Sequence, residues 1–454
     1  MSVLKRVTLL VTILFILFFS FQTLQSYDVY NSSLELEFQM NSDKNDEIQV
    51  FYSSGKPEWN EELSVRKTYN NNGAWMDMGF VLPLDTKLVR IDVGNQPSNV
   101  HIRNMNVDAY TNFNIKPIDV EINGSQNIDF ISANNDFILK STGNDPFFIF
   151  DIQPFIEQAN QGLNLYKALK NVVFSLIIGF LAYFIMKNIK NTSLFVKKVL
   201  NDPRMILSLA KNDFKTKYAS SYLGVIWGFI NPLLTIATYW FVFQVGLRSG
   251  DVSEVPFILW FIAGIIPWFF FSEALSGATN VFMEYGYLVK KVVFKIEMLP
   301  SVKMVSALFV QFFFVIFIFV VYGFYGSAPT FYSFQLLYYL FSMFVLVFSI
   351  TLLTSSIVLF FKDLNQIIMI VLSIGFWFTP IGWPVSMLPE FWGDFFKLNP
   401  MYYIVQGFRD TMIDNVLFYE RPYQTAYYWI FCLATLTLSV KVFKKLKVHF
   451  SDVL

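Results

Sequence analysis

The stretch LSLAKNDFKTKYASSYLGVIWGFINP, at Leu207–Pro232, joins an amphipathic segment to a long apolar one. Four apolar residues recur at helical spacing and would share one helix face: Leu207, Ala210, Phe214 and Tyr218. Lysines flank that face, and the opposite face carries Asn212, Asp213 and Thr216. An apolar stripe flanked by lysines is typical of a helix lying flat on an anionic membrane surface. We therefore predict an interfacial helix, after which Gly224 turns the chain into a membrane span that continues to about Val245.

The composition is that of a polytopic membrane protein. Of the 454 residues, 54% are hydrophobic and 15% are charged, and the mean hydropathy is +0.45. Soluble domains average about 25% charged residues. A formal net charge of zero gives no basic surplus that would indicate a nucleic-acid partner. The two histidines, His101 and His449, lack carboxylate or cysteine neighbours at ligand spacing, which argues against a histidine-based metal or catalytic site.

Residues 1–26 form a predicted N-terminal membrane anchor. Lys5 and Arg6 precede the apolar run Val7–Leu24, and no A-x-A-like cleavage site follows that run. We therefore favour a retained anchor over a cleaved signal peptide. Either segment would export the residues that follow it.

Residues 27–165 change character and predict an all-β domain outside the membrane. Short apolar segments alternate with polar residues, and turn-rich stretches such as NSDKND, NNNG and GNQPSN separate them. Short alternating strands at near-regular spacing are typical of a β-sandwich. One part, VLPLDTKLVRIDVG at Val81–Gly94, weakly resembles a jelly-roll-like module that is appended to bacterial cell-surface glycan proteins.

Four aromatic residues of this domain are candidates for a glycan-stacking platform: Trp59, Trp75, Tyr52 and Tyr69. Aromatic rings offer flat apolar faces, and Tyr and Trp add a polar edge. Core packing explains aromatic side chains in a sandwich equally well, so both interpretations stay open.

A second apolar stretch, Asn171–Met186, returns the chain across the membrane within a span-and-linker segment, residues 166–200. Apolar length predicts six further spans, at roughly residues 224–246, 257–282, 300–324, 333–360, 366–388 and 424–443. Cytoplasmic loops are enriched in Lys and Arg, and nine lysines fall on the side that this order assigns to the cytoplasm. The outer loops carry only Arg248, Lys397, Arg409 and Arg421. The predicted fold is thus a polytopic α-helical membrane protein of about eight spans, with an inserted all-β extracytoplasmic sandwich and cytoplasmic termini.

From about residue 200 to residue 450, the sequence resembles the permease subunits of type-2 ABC exporters. The resemblance rests on D-F-K-x-K-Y at Asp213–Tyr218 and on S-Y-L-G-V-I-W-G-F-I-N-P at Ser221–Pro232. It is nearest to the branch that exports O-antigen and teichoic-acid polysaccharides. The resemblance implies a six-span permease domain over residues 201–454, with Asp213, Phe214 and Tyr218 on its interfacial helix.

The loop EYGYLVKKVVFKIEMLP, at Glu284–Pro300, is predicted to form a short amphipathic helix that Pro300 closes. In the export family this position is the coupling helix, which sits in a groove of the ATPase subunit. The match L-V-K-K-V-x-F-x-x-E-x-L-P implies these coupling residues: Leu288, Lys290, Lys291, Phe294 and Glu297. Family members usually carry proline where this chain has Lys295. A basic loop that serves topology alone is the alternative interpretation.

Residues 379–409 contain four prolines and yet remain apolar and aromatic. Such a mixture suits short re-entrant helices whose irregular backbone is buried against protein. The segment resembles the extracellular gate of the export family, which implies five gate residues: Pro380, Pro384, Asn399, Pro400 and Arg409. Thr379 replaces the more usual serine. An ordinary exposed loop is the alternative interpretation.

Several residues of the predicted spans are candidates for lining a sugar conduit: Trp227, Phe229, Tyr239, Trp268, Phe269 and the polar Glu273. Glu273 and Gln311 are of interest because polar groups within the membrane usually face a bundle interior or a cavity. Lipid-facing packing is the default explanation for the aromatic residues.

The sequence contains no G-x-x-x-x-G-K-[ST] phosphate-binding loop. The resemblance therefore implies a non-enzymatic permease that carries no cofactor and works with a separate ATPase subunit, which would hold ATP and magnesium. It further implies a homodimer in the bacterial cytoplasmic (inner) membrane, among membrane lipids, that exports a polyprenyl-diphosphate-linked glycan. An exporter of a small lipid or drug and a non-catalytic membrane subunit of a glycan-synthesis complex remain alternatives.

Overall fold

The computed structural model describes residues 3–26, 33–55, 59–70, 74–108, 112–133, 136–159, 161–217, 222–247, 250, 252, 255–291, 294–326, 329–388 and 390–454. The chain divides into two compact units, Met1–Gly179 and Phe180–Leu454. The first unit contains the predicted sandwich, and the second contains the predicted permease domain.

The first unit opens with helix α1 (Val3–Ser26) and continues into a two-sheet sandwich, which confirms the predicted all-β domain. Its strands are β1 (Ser33–Ser42), β2 (Asp46–Ser53), β3 (Ser64–Tyr69), β4 (Met76–Pro83), β5 (Leu88–Asp92), β6 (Asn99–Asp108), β7 (Asn112–Asn114), β8 (Ile122–Gln126), β9 (Ile128–Ala133), β10 (Asp136–Ser141) and β11 (Phe147–Asp151). The six-stranded sheet has the order β4-β1-β6-β10-β9, with β7 paired to β6. The five-stranded sheet has the order β3-β2-β5-β11-β8, and its strand pairs are antiparallel.

Alternation of apolar and polar residues places one face of each strand in the core. Leu36 and Phe38 of β1 are buried with Ile48 and Val50 of β2, so the two sheets enclose one apolar layer. Helix α2 (Gln153–Ala159) adds Phe155 to this layer. The chain then enters α3 (Gln161–Val199), a helix far longer than the predicted Asn171–Met186 because polar residues extend it at both ends.

The second unit is helical: α4 (Pro203–Lys217), α5 (Trp227–Trp240), α6 (Phe257–Thr279), α7 (Val281–Glu284), α8 (Gly286–Val289), α9 (Leu299–Phe324), α10 (Gln335–Val358), α11 (Leu364–Phe378), α12 (Glu390–Lys397), α13 (Pro400–Arg409), α14 (Pro422–Leu446) and α15 (Phe450–Val453). Helix α6 is apolar on all sides and packs against α9, α10 and α13. A helix of this kind belongs in the interior of a bundle. It is the helix around which the others are arranged.

Six segments within the described residues are long and apolar enough to cross a membrane: Leu165–Val199, Gly224–Gly246, Phe257–Thr279, Ile296–Phe324, Phe331–Val358 and Pro422–Val453. Two shorter apolar helices, Val11–Thr23 and Leu364–Phe378, occur at the other two predicted spans. The chain is therefore a multi-pass membrane protein. Gly224 has φ +55, in the left-handed region, which agrees with its predicted role as the turn between α4 and α5.

The predicted span at residues 366–388 is wrong at its second end, because α11 stops at Phe378. Thr379 leaves the helical region with φ −98 and ψ 126. A residue before proline is sterically driven out of the α region, and Pro380 follows directly. The remaining residues of the predicted span belong to the broken segment described below.

Candidate transport and coupling sites

Short helices and extended backbone replace a single helix between α11 and α14. After Thr379 come a 3₁₀ turn at Val385–Met387, then α12 and α13. Asn399 caps α13 by accepting a hydrogen bond from the Met401 backbone N–H at 3.0 Å, and Pro400 occupies the first helical position. The Asn399 amide also donates to Thr379 Oγ1 at 2.8 Å. The predicted gate residue Asn399 is thus tied to the residue that follows α11, whereas Pro384 lies half-buried just before the 3₁₀ turn.

Arg409 fixes the start of this broken segment to α6. Its Nη1 donates to the Pro380 carbonyl at 2.8 Å and its Nη2 to the Ile381 carbonyl at 2.9 Å. The guanidinium carbon lies 3.4 Å from the centroid of the Trp260 ring. Gly264 of α6 makes room for it, since a Cβ there would lie 2.7 Å from Nη2.

The sequence places Arg409 among the cations between the last two spans, and the structure shows that this side chain is not exposed. The side chain is buried, with 3% of the residue exposed. Within the described ranges no carboxylate lies within ion-pair distance of it, so carbonyl oxygens and an aromatic face solvate the charge. The physical reason is that α13 presents its last residue to the neighbouring α6 rather than to solvent.

Arg421, also predicted as an outer-loop cation, is neutralised by a carboxylate that the sequence reading missed. Its Nε and Nη2 contact the two oxygens of Asp410 at 2.6 and 2.9 Å, and Gln406 Nε2 donates to the same carboxylate at 2.9 Å. Asp410 is buried. This pair ties the end of α13 to the start of α14.

Most predicted conduit residues lie half-buried, but Trp268 is an interior packing residue. Its indole contacts Phe271 and Phe376, with ring centroids 5.3 and 6.1 Å apart, and only 6% of the residue is exposed. Trp268 therefore does not line an open surface of this chain. The partly exposed candidates pack mainly on other aromatic rings: Phe229 on Phe313, Tyr239 on Phe376 and Phe269 on Phe314. Trp227 is half-buried at the start of α5.

A helix, α4, forms where the sequence predicts the interfacial helix, and the side chains that it buries in the protein are mostly not those of the predicted membrane-facing stripe. Ile206, Ala210 and Asp213 are buried and Leu207 is 43% exposed. Ile206, Ala210 and Asp213 are spaced four and three residues apart, so they form a continuous stripe on the helix. Helix α4 packs against α9. Phe214 is half-buried, 5.4 Å from Phe309 between ring centroids. Tyr218 lies outside the described residues.

Asp213, expected to face solvent, is instead part of a polar cluster at the start of α9. Lys303 Nζ lies 2.7 Å from an Asp213 oxygen and 2.5 Å from Glu284, and the Tyr285 hydroxyl donates to Asp213 at 3.0 Å. These residues line a cavity of about 510 Å³ that also contains Lys217 and Glu273, paired at 2.5 Å. The structure thus brings Asp213 of α4 and Glu273 of α6 to one cavity.

The coupling segment is not the single amphipathic helix that the sequence predicts. Within the described part of Glu284–Pro300, the last residue of α7 is followed by the short helix α8 and by a 3₁₀ turn at Ile296–Met298. Lys295 has non-helical φ −84 and ψ 81, and Pro300 lies in the first turn of α9 instead of closing a helix. Proline is favoured in a first turn because its missing N–H has no partner there.

Of the five predicted coupling residues, only Lys290 and Lys291 are exposed. Leu288 and Phe294 are half-buried against the apolar core. Glu297 is buried, with 2% of the residue exposed, and it pairs with Lys198 and, at 3.0 Å, with Lys447 Nζ. Glu297 therefore does not lie at the surface of this chain, because the two lysines hold it inside the unit.

The aromatic platform predicted on the sandwich does not form, because both tyrosines face the core. Tyr69 is 2% exposed and its hydroxyl donates to the Val93 carbonyl at 2.8 Å. Burial raises the pKa of that hydroxyl to about 12. Tyr52 is half-buried against the same core.

The two tryptophans are half-buried and lead into strands of different sheets. Trp59 precedes β3, and Trp75 precedes β4. The Arg103 guanidinium lies 3.9 Å from the centroid of the Trp75 ring. One face of that ring is therefore covered.

Comparisons with known proteins relate about half of the chain to transport proteins. The family described as ABC-2 type transporter matches residues 204–413. Two proteins of Klebsiella pneumoniae, each named O-antigen export system permease protein RfbA, are 27% identical over 253 and 254 residues, which is 55% of this chain and 95% of each relative. A protein of the same name from Myxococcus xanthus is 26% identical over 219 residues, 48% of this chain and 80% of the relative.

Proposed function

We propose that this chain, whose residues 204–413 match the ABC-2 type transporter family, is the permease subunit of an ABC exporter that moves a lipid-linked polysaccharide across the cytoplasmic membrane. The observation that carries the proposal is the extent of the relationship. The alignment with each Klebsiella O-antigen export permease covers 95% of that relative, so nearly the whole of each relative corresponds to one part of this chain.

The polar cavity is consistent with a transporter that handles a charged carrier lipid beside the membrane. It lies between the interfacial helix α4 and the spans α6 and α9, and it combines lysines with carboxylates. Ionisable groups at membrane depth are costly and usually mark a pathway. We assign the headgroup of a polyprenyl-diphosphate-linked glycan to this side of the protein.

A separate ATPase subunit would supply the energy and would bind ATP and magnesium. In this proposal Lys290 and Lys291 contact it, because they are the exposed members of the coupling segment. Glu297 does not contact the ATPase in this proposal, but lies inside the protein and holds Lys198 and Lys447 against the start of α9. Two copies of the permease would enclose the conduit, with Arg409 fixing the broken segment near its outer end.

Deletion of this chain in its own host tests the proposal. We expect loss of surface polysaccharide and accumulation of polyprenyl-diphosphate-linked glycan inside the cell, because synthesis continues without export. The wild-type chain supplied in trans should restore both readouts. Unchanged surface polysaccharide in the deletion strain would contradict the assigned cargo.

A further inference from the structure

Two rows of side chains cross the outer face of the five-stranded sheet. The antiparallel register aligns one residue from each strand in the first row: Arg66, Gln49, Asp92, Phe147 and Gln126. The second row, two residues along each strand, contains Ser64, Phe51, Arg90, Ile149 and Gly124. The intervening residues Val50, Ile91 and Phe148 belong to the core, so both rows lie on the opposite face.

Arg90 and Asp92 form a fixed pair at the centre of this face. Arg90 Nε and Nη2 donate to the two Asp92 oxygens at 2.7 and 2.6 Å. The guanidinium carbon lies 3.8 Å from the centroid of the Phe147 ring and 5.2 Å from that of Phe51. The side chains of Arg90 and Asp92 are 15% and 13% exposed, and burial raises the pKa of Asp92 although Arg90 lowers it. The pair therefore presents its remaining hydrogen-bonding capacity in a set orientation.

A second polar cluster lies beside the first, and its ion-paired members are more exposed. Gln49 lies on the outer face of the sheet, where neighbouring side chains bury it. Its Nε2 donates to Ser64 Oγ at 2.8 Å and to Glu61 Oε2 at 3.1 Å. Arg66 Nη2 contacts Glu61 at 2.7 Å, and its Nη1 lies 3.7 Å from Glu47. The 3₁₀ turn at Glu61–Leu63 forms a rim above the strands.

The chemistry of this face matches a sugar chain. Strands lie about 4.8 Å apart, so a row across five strands extends about 19 Å, which suits an extended polymer better than one small molecule. Amide, carboxylate and guanidinium groups supply donors and acceptors for hydroxyls. The flat Arg90 guanidinium, which covers one face of Phe147, supplies with that half-buried ring a contact for apolar C–H faces.

The charge of the face selects among glycans. The ion-paired groups of this face are two arginines, Arg66 and Arg90, and four carboxylates, Glu47, Glu61, Asp92 and Asp145, and these six groups have a formal charge of 2 − 4 = −2. Such a surface repels a polymer that carries phosphate groups and accepts a neutral one.

We propose that the outer face of the five-stranded sheet, centred on Gln49, Arg90, Asp92 and Phe147, binds the neutral glycan that the exporter moves. This inference rests on the proposed function and deepens it, because it excludes a teichoic-acid-type polyanion as the preferred cargo. Helices α1 and α3 flank the sandwich in the chain and tether it, so weak sites suffice at a high effective concentration of emerging glycan.

The test uses the full-length protein in lipid nanodiscs and two probes, measured by titration calorimetry. One probe is the neutral oligosaccharide fraction of the host's own surface polysaccharide, released by mild acid and purified from charged fractions; the other is poly(glycerol phosphate). We expect the neutral fraction alone to bind, and Asp92→Asn or Gln49→Ala to weaken binding at least tenfold. Gln126→Ala, at the exposed edge of the row, should weaken glycan binding about threefold. This variant tests the site if the variants at buried positions fail to fold.

Asp77→Asn is the matched control, since Asp77 accepts a hydrogen bond from Gln39 at 2.8 Å on the six-stranded sheet. It should bind like the wild type. Absence of binding by the wild type, tighter binding of poly(glycerol phosphate), or equal losses in Asp92→Asn and Asp77→Asn would each overturn the inference. A wild-type chain that restores export yet binds no neutral fraction overturns only this site, whereas binding without export overturns the proposed function.

Discussion

Arg409 and Glu297 are among the buried charged side chains of the helical unit, and different partners satisfy them. Glu297 has two lysines, whereas Arg409 has the carbonyls of Pro380 and Ile381 and the face of Trp260. Sequence patterns place both residues in short polar stretches between spans, where charges are normally exposed. The partners lie between 28 and 150 residues away along the chain, so local spacing does not reveal them.

We expect Arg409→Ala to destabilise the protein by about 2–4 kcal/mol, because two carbonyls then lose charged hydrogen-bond donors. Arg409→Lys should recover little of the lost stability, since an ammonium group cannot donate to both carbonyls in the geometry of the planar guanidinium. Thermal unfolding in detergent measures both, with the exposed Arg204→Ala as control. Equal unfolding midpoints for Arg409→Ala and Arg204→Ala would contradict the role assigned to Arg409.

At the scale of elements, helical periodicity predicts where α4 lies but not which face it buries. The spacing of Leu207, Ala210 and Phe214 suits a lipid surface, and the spacing of Ile206, Ala210 and Asp213 suits the neighbouring α9. Apolarity alone cannot distinguish the two environments. Sequence-based prediction fails in the coupling segment for a similar reason. Pro300 indicates a helix boundary, but proline is compatible both with the end of a helix and with the start of one.

The exposed lysines of the coupling segment should determine binding of the ATPase subunit. We expect Lys290→Glu, and separately Lys291→Glu, to reduce copurification of the ATPase at least fivefold and to leave membrane insertion unchanged, because reversed charge repels a complementary groove. Lys362→Glu, an exposed lysine in another loop, is the matched control. Full recovery of the ATPase with both coupling variants would remove these lysines from the interface.

For the whole molecule, the alternation in residues 27–165 and the long apolar runs after residue 165 predict a sandwich followed by membrane helices, and the structure confirms that order. The candidate glycan-stacking residues were not located correctly from the sequence, since Tyr52 and Tyr69 face the core. The row through Gln49, Asp92 and Phe147 comes from three strands, and only the pairing register assembles it. The assigned cytoplasmic and outer sides remain predictions from the lysine asymmetry.

The most direct test of the central claim is ATP-driven movement of lipid-linked glycan in proteoliposomes that contain this chain and its ATPase subunit. The substrate is the host's own polyprenyl-diphosphate-linked polysaccharide, and a lumen-trapped glycosidase reports its arrival. We predict glycan cleavage that requires ATP, this chain and the ATPase together. Cleavage that proceeds equally without ATP, or none with all components present and active ATP hydrolysis, would contradict the assignment of this chain as a polysaccharide export permease.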